Sequence, residues 1–238
     1  DEGDTWDLAC PHQQRRALRL QDETQPWLLM ASPPCSMFSL LQHLTFSNRE
    51  EKTVKGQFNN AIAHVGFAVL MCLRQARAGR KFVFEHPAGV MSWSMGLTHK
   101  LFTIGGADQV NFDVCMFGMT SAGQSGLGLA KKRTKVVSNS EALVESLKGF
   151  QCTRDHRHVP LVDGRAKACQ RYPEAFCKHV CRVVMKERNM MSKHAAFLQI
   201  LGRACSDPRD ITKFINSVSD GDIHDRDDLY DHFDFVYD

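Results

Sequence analysis

Two short apolar runs in this 238-residue chain end abruptly on residues that could do chemistry. Trp27-Leu28-Leu29-Met30-Ala31 runs into Ser32-Pro33-Pro34-Cys35-Ser36-Met37-Phe38-Ser39, and Lys81-Phe82-Val83-Phe84 runs into Glu85-His86-Pro87. A cysteine thiolate is a covalent nucleophile, and a carboxyl group can donate or accept a proton. Further along lie a basic run, Lys131-Lys132-Arg133-Thr134-Lys135, and a Cys152-x3-His156-x-His158 loop of zinc-like composition. Cys169, Cys177, His179 or Cys181 could supply a fourth metal ligand, and nothing in the spacing selects among them. No metal is therefore assigned, and Cys152, His156 and His158 stand only as candidates. The plain alternative is a polar loop, with Cys177 and Cys181 packed in a helix.

The elements that must position these groups follow from hydrophobic periodicity. Residues 11–25 read as a polar helix ending before Pro26. The run 27–32 suits a strand buried on both faces. Val54, Phe58, Ala61, Ile62, Val65, Val69, Cys72, Leu73 and Ala76 keep helical spacing over 54–78, with Gly79 as the stop. A second buried strand starts at Lys81. Strand, long helix, strand is the crossover unit of an α/β domain, and ligands of open α/β sheets bind just past the strands' carboxyl ends. Cys35 and Glu85 stand there. Further strands are expected at Phe112–Phe117 and Lys135–Ser138. A glycine-rich stretch between them (Gly123, Gly126, Gly128) is read as a flexible loop, because a strand rather than a helix follows it. A helix from Glu141 to Leu147 takes Ser140 as its cap. Another opens at Pro173 with Phe176, Val180, Val183 and Val184 on its apolar face, and 193–204 reads as a separate helical segment.

Pro-Pro-Cys35 followed by Phe38-Ser39 resembles the nucleophile motif of cytosine-5 DNA methyltransferases, and Glu85-His86-Pro87 resembles their next motif, departing from it at His86. The Lys132-Arg133-Thr134-Lys135 run before Val136-Val137-Ser138-Asn139 is similar to a variant of the family's third motif. Order and spacing agree over roughly residues 27–139. The resemblance implies an α/β, Rossmann-like class I methyltransferase sheet, incomplete at the N-terminus and carrying a helical C-terminal extension. It implies a partial catalytic domain over 1–185; beyond it, the residues themselves read as a helical extension over 186–205 and an Asp-rich, acidic, loosely ordered tail over 206–238.

The same resemblance implies residue roles. Cys35 would add to carbon 6 of cytosine, making carbon 5 enamine-like, and Glu85 would stabilise ring nitrogen 3 as an acid. Burial at a strand end would help keep Glu85 protonated. Ser32, Pro34, His86, Arg133 and Lys135 would line the base and its phosphate, with the target nucleotide flipped from the stack. Lys131 and Lys132 would add attraction to the DNA backbone. S-adenosylmethionine is the implied cofactor, yet no glycine-rich strand–helix turn precedes Trp27, so an upstream segment or second chain is expected to complete its site. Two other readings stay open. One is a degenerate, non-catalytic module of a mobile-element polyprotein that binds nucleic acid or a partner. The other is an amino-group DNA methyltransferase, which would need an aromatic residue where Cys35 stands.

Bulk properties bound these readings. Apolar content of 43% and charged content of 24% are ordinary for a globular domain. The longest apolar run, Val65–Leu73, is too short to span a bilayer, so no membrane partner is expected. Nine cysteines without framework spacing argue for reduced thiols and an intracellular setting, nuclear or cytoplasmic. The chain opens on Asp1 and is read as a segment of a longer protein. The net charge of +3 hides an asymmetry. From Cys205 onward ten Asp oppose Arg209, Lys213 and Arg226, so the tail is about −7 and the rest about +10. A basic body is compatible with a nucleic-acid partner.

Overall fold

The computed structural model describes residues 6–39, 46, 48–123, 126–162 and 164–204. The acidic tail expected over 206–238 lies outside the described residues. The chain divides into two compact units, Asp1–Met185 and Lys186–Asp238.

In the first unit, helix α1 (Pro11–Thr24) opens on a proline, as suits a first helical turn, and precedes strand β1 (Leu28–Ala31). Helix α2 (Glu51–Arg77) follows, and Gly79 (φ 70°) turns the chain into strand β2 (Lys81–Pro87). Buried Gln21 donates from Nε2 to the Met71 carbonyl at 3.0 Å and to Gln75 Oε1 at 3.0 Å, tying α1 to α2. After helix α3 (Gly96–Phe102) come β3 (Asp108–Asp113), β4 (Thr120–Gly123), β5 (Gly126–Leu129) and β6 (Arg133–Ser138). Helix α4 (Glu141–Lys148) is capped as its sequence predicts, Ser140 accepting from the Leu143 amide at 3.3 Å. A short α5 (Arg165–Ala168) leads to α6 (Glu174–Ala204).

The main sheet has the order β1-β2-β6-β3. β1 and β2 are adjacent and parallel (Met30 opposite Val83), joined through α2 as the sequence predicts. Strand β6 is antiparallel to both neighbours, with Glu85 and Val110 each opposite Val136. The architecture is therefore mixed α/β with a mixed sheet, whereas the crossover unit between two apolar runs predicts a mostly parallel one.

Alternation along β2 sorts two cores. Phe82 and Phe84 pack with Val65, Val69 and Cys72 of α2 and with Trp93 and Leu101. Val83 points the other way, into a layer with Val110, Phe112, Val136, Leu143, Leu147, Phe176 and Val180. Glu85 shares the face of Val83, and His86 that of Phe84.

Three further expectations are corrected. The run Phe112–Phe117 is not one strand: β3 ends at Asp113, and Val114–Phe117 is a 3-10 turn closed by Gly118 at φ 76°. The glycine-rich stretch expected to be a loose loop is the antiparallel β4/β5 hairpin, Ser121 opposite Gly128. Its glycines admit a neighbour, because a Cβ at Gly128 would sit 2.8 Å from Val159 Cγ2. Finally, the segments opening at Pro173 and at 193 belong to one continuous helix. Among the described residues no helix is long and apolar enough to cross a membrane.

Candidate functional site

The carboxyl ends of β1 and β2 carry the two groups singled out from sequence. The Pro33-Pro34 turn leads Cys35 into a 3-10 turn (Ser36–Phe38) whose Met37 and Phe38 are buried, and Cys35 itself is half-buried. Glu85 is 3% exposed on the adjacent strand.

His86 fixes the distance between the two elements. Its Nε2 lies 2.9 Å from the Pro33 carbonyl, an acceptor only, so Nε2 carries the proton and donates. Nδ1 is then the acceptor, taking the Ser92 hydroxyl proton at 2.6 Å. Burial, and secondarily the Lys132 charge, lower the His86 pKa to about 4, against the pull of the Pro33 bond. The ring is fully buried and both its nitrogens are engaged within the fold. His86 is the brace that pins the Pro33–Cys35 turn to β2.

Around Glu85 the structure assembles two residues to which the sequence reading gave no catalytic part. Lys132 Nζ approaches Oε1 at 3.9 Å and sits 4.9 Å above the ring of Tyr172. Tyr172 arrives just ahead of α6, packed on Phe176 with ring centroids 4.9 Å apart. The hydroxyls of Tyr172 and Ser32 face the carboxyl, yet Oε1, buried, makes no hydrogen bond. Burial pushes the Glu85 carboxyl above its ordinary range, while Lys132 and the two hydroxyls oppose the shift. Burial also raises the Cys35 thiol; Lys132 lowers it and Glu85 raises it further. Burial and the Glu85 charge likewise raise the Tyr172 phenol. Cys35, Glu85, Lys132, Ser32 and Tyr172 thus form one electrostatic unit.

Not every expected contact joins it. Lys135 pairs with His86 across β2/β6 and lies 5.0 Å over the Trp93 ring, on the sheet face opposite Glu85. Arg133 follows the same alternation and is exposed. Lys132, one residue before the strand, is the cation that reaches the carboxyl. Ser32 and Pro34 are both exposed at the mouth. A cavity of about 280 Å³ adjoins this mouth, lined by Leu29–Pro34 and by Trp6, His64 and Phe67 among others.

The Cys/His loop lies elsewhere on the sheet. Cys152, His156 and His158 converge with Cys115, from the 3-10 turn after β3, with one ligand atom of each residue within 4.8 Å of every other. None of the fourth ligands considered from sequence takes part. Cys169 Sγ faces the Thr120 carbonyl at 3.9 Å, His179 meets Ser146 Oγ at 3.0 Å, and Cys177 and Cys181 are exposed. Cys115 escaped because a cysteine in an apolar stretch reads as core packing.

Comparison with known protein families, curated proteins and solved structures finds no match for this chain.

Proposed function

We infer that the chain is the base-activating part of an S-adenosylmethionine-dependent DNA (cytosine-5) methyltransferase-like domain of Rossmann-like class I type. One observation carries this reading: a buried Glu85 whose Oε1 has no hydrogen bond, beside a half-buried Cys35, at the ends of adjacent parallel strands. A buried carboxyl oxygen without a hydrogen bond costs stability, and a ligand that supplies a donor offsets that cost.

S-adenosylmethionine would supply the methyl group when bound. Among the described residues no glycine-rich turn joins a strand to a helix N-terminus, so this chain's own residues do not fit the cofactor. Calorimetry on the chain alone should accordingly show negligible binding, and micromolar affinity would overturn that.

Base activation needs only the residues of the cleft. The thiol proton of Cys35 passes to the Glu85 carboxylate, helped by Lys132, which favours the thiolate. Sulfur adds to carbon 6 of cytosine as the 5,6 double-bond electrons move toward nitrogen 3, and Glu85 delivers its proton there. The thiol proton ends on nitrogen 3, a sulfur–carbon bond has formed, and carbon 5 is enamine-like. Tyr172 and Ser32 orient the carboxyl, and Lys132 holds its charge when deprotonated. The basic body would hold DNA through salt-sensitive phosphate contacts, and removal of residues 206–238 should strengthen that binding.

Reversible addition at carbon 6 makes the carbon 5 hydrogen exchangeable without any methyl donor. Mass spectrometry of a cytosine-containing single-stranded oligonucleotide incubated with the protein in heavy water should show deuterium at carbon 5. Uptake no faster than in a protein-free control would sink the reading. A second reading, a non-catalytic module that binds nucleic acid or a partner, is favoured by the raised Cys35 thiol, which disfavours thiolate in the unliganded protein. It predicts DNA binding without exchange. Amino-group methylation has no aromatic side chain at Cys35 to support it.

A further inference from the structure

We propose that Cys115, Cys152, His156 and His158 bind one zinc ion, in a closed structural site that ties the loop after α4 to the 3-10 turn after β3. Zn–S and Zn–N bonds of about 2.3 and 2.0–2.1 Å give a regular tetrahedron with edges of about 3.3–3.8 Å. The observed separations are 3.7 Å for Cys152 Sγ to His156 Nε2, 3.5 Å for Cys152 Sγ to His158 Nε2 and 3.0 Å between the two Nε2 atoms. Cys115 Sγ completes the set within 4.8 Å of all three.

The surroundings prepare these atoms for a cation. Asp155 Oδ1 accepts from His156 Nδ1 at 2.7 Å, which places the proton on Nδ1 and leaves the Nε2 lone pair directed at the cluster. Asp113 Oδ2 accepts the Cys152 amide at 2.9 Å, so a buried carboxylate orients the chain at that ligand. His158 is set by a bridge to Leu129, whose carbonyl accepts the Val159 amide at 2.7 Å. The close passage of Val159 over Gly123 and Gly128 allows that bridge.

Zinc is the ion this donor set selects. Two thiolates and two imidazoles suit Zn²⁺, and two thiolates cancel its charge in a partly buried site. All four positions are protein ligands, so the metal holds structure and leaves no place for a substrate. The site lies next to the cleft in the chain: the Val114 amide, one residue before Cys115, donates to the Lys132 carbonyl at 3.1 Å. The metal therefore secures the backbone from which Lys132 reaches Glu85. The inference does not depend on the proposed reaction.

The full chain, purified under reducing conditions without added metal, should carry about one zinc per molecule by mass spectrometry of the elements. Cobalt added to chelator-stripped protein should give saturable visible bands of tetrahedral cobalt with two thiolate ligands. Cys115→Ser and His158→Ala should each weaken zinc by about 100-fold or more, whereas Cys169→Ser and Cys177→Ser should keep full stoichiometry. The cobalt spectrum of the unmodified chain counts thiolates even if a variant fails to fold. Metal-free protein without a saturable cobalt spectrum, iron in place of zinc, retention of zinc by Cys115→Ser, or a Cys115–Cys152 disulfide would each overturn the proposal.

Discussion

The cleft at Cys35 and Glu85 and the Cys/His cluster are built from similar residue types with opposite balance. In the cluster, the Cys152, His156 and His158 ligand atoms stand 3.0–3.7 Å apart, with Cys115 Sγ within 4.8 Å of each, in a set that one cation completes. In the cleft, Glu85 Oε1 is buried without a hydrogen bond and its nearest cation is 3.9 Å away. Buried polar groups that are mutually satisfied contribute to stability, and those left unmatched cost stability and are tolerated where function needs them. The cluster should therefore behave as a stabilising device and the cleft as a destabilising one.

The largest test of that contrast is substitution in both places. Cys115→Ser should lower unfolding free energy by several kcal/mol, on the order of 3–5, as expected for loss of a structural metal. Glu85→Gln should change it by less than about 1 kcal/mol or raise it, since it removes a desolvated carboxyl. Urea melts of the two variants measure both. Equal losses would erase the distinction.

Acid titration sharpens it. His86 is held neutral in the fold with a pKa of about 4, below the ordinary value of 6.5. Between those pH values the unfolded chain takes up a proton that the folded ring refuses. Stability through His86 is thus intact above pH 6.5 and falls as pH drops toward 4, by up to about 3 kcal/mol. Glu85 acts with the opposite sign, because its raised pKa makes the folded state bind a proton more tightly than the unfolded one. Its contribution grows as pH falls through that raised value. His86→Gln should flatten the acid loss and Glu85→Gln should steepen it, read from melting temperature against pH.

A smaller effect belongs to Gly128→Ala. The added Cβ would press on Val159 at 2.8 Å, costing about 1–2 kcal/mol unless Val159 gives way. Val159→Ala should rescue it, and a double-mutant cycle by urea melts quantifies the coupling. Smallest is Ser140→Ala, which removes the α4 cap for about 1 kcal/mol and should leave both zinc content and the cleft untouched, as metal analysis and melts would show.

What the sequence disclosed and what it hid follow from chain distance. Cys35 and Glu85 were legible because two apolar runs stop at them, and the crossover helix between made adjacent parallel strands the expected arrangement. The antiparallel placement of β6 between β2 and β3 was not, since alternating buried residues look alike in either direction. Lys132 was passed over for Arg133 because motif likeness favours the arginine, while strand alternation turns Arg133 away from Glu85. Tyr172 and Cys115 come from distant segments, and only tertiary packing delivers them. His86 illustrates the reverse: its motif position is polar, but the fold uses its two nitrogens internally.

The central claim is that Cys35 adds to the pyrimidine ring with Glu85 as its acid, and carbon 5 exchange in heavy water tests it most directly. Unmodified protein should label cytosine at carbon 5; Cys35→Ala should abolish labelling, and Glu85→Gln should slow it by about 100-fold or more, as for loss of a general acid. Cys177→Ala, an exposed thiol on α6, should label at the original rate. Labelling by Cys35→Ala at the unmodified rate, or none by the unmodified protein, would contradict the account.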